Sequence, residues 1–85
     1  MTAREKQICQ KILDALHDRD GLQLVEPMIH AEVQVRLDER VPLAEFDAAL
    51  ALCNARGWLT GVKGKFTGLK WNINDAGEAA RLEMA

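Results

Sequence analysis

At 85 residues, with 48% apolar and 28% charged side chains, the chain is long enough for one domain and close to the size at which a single core becomes marginal. That composition excludes a disordered chain, and no apolar run approaches the roughly 20 residues of a membrane helix. The net charge is only −2 but segregated: no acidic residue stands between Asp47 and Asp75, a window that carries Arg56, Lys63, Lys65 and Lys70.

The opening Met1-Thr2-Ala3-Arg4-Glu5-Lys6 is polar and lacks the apolar stretch of a secretory signal, so a cytoplasmic location is expected. Ile8, Cys9, Ile12, Leu13 and Leu16 then recur on one helical face. Their spacing predicts an amphipathic helix over residues 3–18, stopped by Asp18-Arg19-Asp20-Gly21. The segment from Leu22 to Leu37 has two readings. Pro27 suits a first helical turn, and Ile29, Val33 and Leu37 recur every fourth residue. Yet Ala31, Val33, Val35 and Leu37 also alternate with polar residues as in a strand. The helix over 27–37 is preferred, with a short strand at 23–25 before it.

Asp38-Glu39-Arg40-Val41-Pro42 reads as a polar loop. Leu43, Phe46, Leu50 and Cys53 then set a helical stripe over 43–56, with Gly57 placed to cap it. Residues 58–62 and 69–73 flank the glycine-punctuated Gly61-Val62-Lys63-Gly64-Lys65-Phe66-Thr67-Gly68, which predicts an antiparallel hairpin. Trp58 and Trp71 are expected at its base as core residues, facing one another across the ladder or packing on the third helix. Asn74 is a good N-cap, so residues 74–84 form a closing helix with Ala76, Ala79, Ala80 and Leu82 available for packing.

This element order, the junction Asn54-Ala55-Arg56-Gly57-Trp58-Leu59 and the closing stretch Trp71-Asn72-Ile73-Asn74-Asp75-Ala76-Gly77 resemble the winged-helix family. The resemblance covers roughly residues 5–83. It implies a small α+β domain: a three-helix core, a two- or three-stranded β-hairpin wing and a C-terminal helix. It also implies DNA binding and transcription regulation, with the helix over 43–56 as the reader of bases and the hairpin as the wing.

The residues favour phosphate contacts over base reading. Arg56, Lys63, Lys65 and Lys70, with Phe66 at the tip, form a candidate nucleic-acid surface, because an acid-free basic hairpin can clamp a polyanion. The bland alternative is a solubilising surface. Phe66 either folds back as a lid or is exposed for contact. The outer face of the third helix, Ala44, Ala48, Ala51, Leu52 and Ala55, lacks hydrogen-bonding side chains, while Glu45 and Asp47 would repel phosphates. Such a face either packs against the first or last helix or serves as an interface with a protein partner or a second copy.

Cys9 and Cys53 stand at core-like spacing and read as buried, reduced thiols. A zinc site is the alternative, but His17 and His30 share no short ligand spacing with them. Gly64-Lys65-Phe66 lacks the hydroxyl and glycine spacing of a phosphate loop. The paired acids sit where capping explains them. No enzyme activity, metal, cofactor or small-molecule substrate is therefore expected. The function expected is nucleic-acid binding or regulation through the wing; the alternative is a protein-interaction module using the alanine face.

Overall fold

The structure, a computed structural model, describes residues 1–20, 22–66 and 68–85. Gly21, part of the expected helix stop, and Thr67, in the expected hairpin turn, lie outside the described residues. Thr2 opens α1 (Ala3–His17): its hydroxyl accepts from the Glu5 N–H at 3.1 Å while the Glu5 carboxylate accepts from the Thr2 N–H at 2.8 Å. This reciprocal box satisfies two otherwise unpaired donors and holds the Glu5 carboxyl below its ordinary value. Behind it, Ile8, Cys9, Ile12, Leu13, Ala15 and Leu16 are buried, one continuous apolar stripe as the spacing predicts.

After β1 (Leu24–Val25) the chain enters α2 (Glu26–Leu37), with Pro27 in its first turn. The helical reading of this segment holds, and Val35 shows why. The strand pattern would pair it with Val33 on one face, but Val33 is fully buried while Val35 is 77% exposed. Asp38, in the left-handed region at φ 54°, ends the helix. Two polar side chains of α2 then anchor the loop that follows: His30 Nε2 lies 2.6 Å from the Val41 carbonyl, and Gln34 accepts from the Val41 N–H at 2.9 Å.

α3 (Leu43–Ala55) buries Phe46, Ala49, Leu50 and Cys53. Leu43, expected in the core stripe, is instead 61% exposed; it occupies the first helical turn, and Ala49 fills the inward position facing α1. Cys9 contacts Ala49 there, its thiol donating to the carbonyl at 3.5 Å. Both cysteines are buried and unbridged, as expected. A hydrogen bond with Cys9, together with burial, pushes the Cys53 thiol far up. Gly57, at φ 75°, turns the chain out of α3, a conformation that favours glycine.

β2 (Leu59–Gly64) and β3 (Gly68–Ile73) pair antiparallel, and β1 adds to the far side of β3, giving a three-stranded antiparallel sheet in the order β1-β3-β2. The ladder reaches further toward the tip than expected, closing on Gly64 opposite Gly68. The tryptophans do not face one another: Trp71 lies opposite Gly61 on one side and Leu24 on the other, and Trp58 precedes β2. Asn74 caps α4 (Asp75–Met84) by accepting from the Gly77 N–H at 2.9 Å. Gly77 is required, because a Cβ there would collide with the Trp58 carbonyl oxygen. This close approach buries Gly77 and Ala80, while Ala76, Ala79 and Leu82, expected to pack, remain exposed. α1 packs on α2, α3, α4 and β3 and is the centre of the small α+β domain. No described helix is long and apolar enough to cross a membrane.

Candidate functional site

In a strand, side chains alternate between faces, so register assigns each hairpin side chain to one of them. The pairs Leu59–Ile73, Gly61–Trp71 and Lys63–Leu69 share the inner face, where the Trp71 ring lies over Gly61, 3.0 Å from the position a Cβ would take. Thr60–Asn72 and Val62–Lys70 share the other. Lys63 and Lys70 therefore point to opposite sides of the hairpin. Lys65 and Phe66 stand at the tip, with the Lys65 ammonium 5.5 Å above the Phe66 ring and Phe66 89% exposed. Of the two expectations for Phe66, exposure is the one observed. Arg56 sits apart from these, at the end of α3, its guanidinium 6.0 Å from the Trp58 ring centroid.

Charge pairing sets this region apart from most of the rest, where, of the lysines and arginines, only Lys6 and Arg40 enter no ion pair among the described residues. Arg4 reaches both Glu39 and Glu45, Arg19 reaches Glu32 at 2.7 Å, Arg36 reaches Asp18 at 2.9 Å, and Arg81 lies between Asp14 and Glu78. The hydrogen bonds that Arg4 donates to Glu45 and Glu39 hold its guanidinium above its ordinary value. By contrast, Arg56, Lys63, Lys65 and Lys70 enter no ion pair among the described residues. Four cations are left available to an external anion.

On α3, Ala44, Ala48, Ala51 and Ala55 are exposed and do not pack against α1 or α4, so internal packing does not explain this face. Leu52 departs from the set: it is half-buried against the core and belongs to the inner side. The exposed face offers no cation until Arg56 and carries Asp47 near its N-terminal end.

Beside that face runs a groove the sequence did not reveal. Two adjoining hollows of about 300 and 390 Å³ lie between the start of α2, α3 and β3, and Glu26 and Asp47 line both. Trp71, Leu50, Ala51 and Asn54 complete the first; Pro27, His30, Leu43 and Phe46 complete the second. His30 stacks on Phe46 with ring centroids 4.8 Å apart, and the Trp71 indole N–H donates to Glu26 at 3.3 Å. Glu26 and Asp47 are 21 positions apart, and only the fold brings them together. Among the described residues, no cluster of three or more His, Cys, Asp or Glu is arranged to hold a metal ion. Comparison with family models, curated proteins and solved structures finds no match to this chain.

Proposed function

We propose that the chain is a non-enzymatic, regulatory nucleic-acid-binding module of winged-helix type, in which the hairpin is the wing and contacts phosphates. The observation that carries this reading is the set of cations without an ion pair among the described residues, Lys63, Lys65, Lys70 and Arg56, in a molecule whose other lysines and arginines, Lys6 and Arg40 excepted, are paired. Cations already neutralised within a fold have little left to offer a phosphate, whereas free ones release counterions on binding. Lysines on both faces of a slender hairpin suit insertion between two lines of phosphate better than a flat contact. α3 adds no base-reading side chains on its exposed alanine face, so binding should be largely independent of sequence.

Fluorescence anisotropy with two duplexes of unrelated sequence tests this. Similar affinities, both weakened when Lys63, Lys65 and Lys70 are changed to Gln, are expected; no binding to either duplex at about 50 mM salt refutes the reading. A second reading, a protein-interaction module, is favoured by one observation: Ala44, Ala48, Ala51 and Ala55 are exposed beside Leu43 instead of being packed inside. Small side chains let another helix approach closely. Replacing Ala48 with Arg would then abolish association in sedimentation while the monomer stays folded.

A further inference from the structure

We propose that the groove between α2 and α3 receives the hairpin tip of a second copy of this chain. The groove is apolar at the exposed Pro27 and Leu43, over the buried Phe46, and is flanked by the Glu26 and Asp47 carboxylates, neither of which has an ion-pair partner among the described residues. The tip presents the opposite chemistry: the Lys65 ammonium next to the Phe66 ring, itself 89% exposed. A hollow of about 390 Å³ falls within the roughly 300–1,000 Å³ of pockets that enclose compact groups, which suits one aromatic ring. Lys65 then lies against the two carboxylates while Phe66 enters the apolar end, so that charge and shape are matched together.

The tip cannot reach the groove of its own chain. Trp71 lines the groove at the base of the hairpin, and the unbroken ladder from Trp71 to Gly68 carries the tip about 10 Å away from it. The occupant is therefore another copy. Donor and acceptor are different patches, so the contact is heterologous: the copy that gives its tip keeps a free groove, and the copy that receives it keeps a free tip. The surface adjoins the alanine stripe of α3 at Ala51 but is centred on Glu26 and Asp47, and the interaction needs no nucleic acid.

The test is sedimentation velocity on nucleic-acid-free full-length chain at about 50 mM salt, where charge pairs are weakly screened. Wild type is expected to associate with rising concentration. Asp47→Lys, which removes the groove and keeps the tip, and Lys65→Glu with Phe66→Ala, which does the reverse, should each weaken association by about tenfold or more. An equimolar mixture of these two variants should recover one-to-one complexes, since each supplies the half the other lacks. Asp47→Asn serves as a milder groove variant if Asp47→Lys melts early. Wild type that stays monomeric overturns the proposal. So does association indifferent to both variants, or a mixture no more associated than its parts.

Discussion

The helical half and the hairpin of this small domain handle charge in opposite ways. In the helical half, arginines are shared among carboxylates of neighbouring helices and loops: Arg36 between Asp18 and Glu32, Arg81 between Asp14 and Glu78, Arg4 between Glu39 and Glu45. Each such exposed pair contributes little stability, about 0–1 kcal/mol, but together they neutralise most of the cations on that surface. The hairpin carries no carboxylate of its own, and its strands pack on the helices near its base. The contrast is that most cations of the helical half are neutralised within the fold, whereas those of the hairpin are not. Changes at the buried positions of the helices should act on folding, and changes at the hairpin cations on binding and not on folding.

The comparison is most easily broken in the core. Leu50, 4% exposed, packs in the same cluster as Phe46, Ile12 and Leu16, so Leu50→Ala should cost about 2–5 kcal/mol. For a domain this size that is a large part of the total, and an unchanged thermal midpoint would show that α3 is not central. Gly77→Ala comes next. The new Cβ would collide with the Trp58 carbonyl oxygen, which is backbone and cannot swing aside, and would crowd the Ile73 side chain, so a loss of about 1–3 kcal/mol in chemical denaturation is expected.

Thr2→Ala removes the α1 cap at a cost of about 1 kcal/mol, measurable as a shift of the urea midpoint. The same box makes a pH prediction. Glu5 has its folded-state value lowered, first by the Thr2 backbone hydrogen bond, so its contribution is present above the ordinary 4.5 and is lost as pH falls through the folded value. The stability gap between wild type and Glu5→Gln should therefore close on acidification below that point. The smallest effect sharpens the contrast. Changing Lys63, Lys65 and Lys70 together to Gln should leave stability within about 0.5 kcal/mol for each site, since none is paired within the fold.

Much of the fold was legible because local signals agreed with burial. The α1 stripe, the glycine stop at Gly57 and the Asn74 cap all appear where spacing and chemistry put them. Errors arose where tertiary contacts decided. Leu43 matched the α3 period but falls in the first turn, facing the groove and solvent, while Ala49 is buried against Cys9. Glycines at 64 and 68 read as a loop, although they form the last pair of the ladder. Ala76 and Ala79 suggested a packed α4 face, but the close passage of Gly77 over Trp58 sets the rotation of that helix. Of the candidate site, the cations were visible in the sequence as an acid-free window. Their division between two hairpin faces depended on register, and the Glu26–Asp47 groove depended on packing between distant segments.

The central claim is that the unpaired hairpin cations exist to meet phosphates, and the salt dependence of binding to a single DNA duplex tests it most directly. Each lysine that contacts a phosphate adds nearly one unit to the slope of log affinity against log salt, so the Lys63, Lys65 and Lys70 triple change to Gln should reduce that slope by about 2–3 units. A slope that is the same in wild type and the triple variant would contradict the account, because it would mean that the hairpin does not touch the backbone.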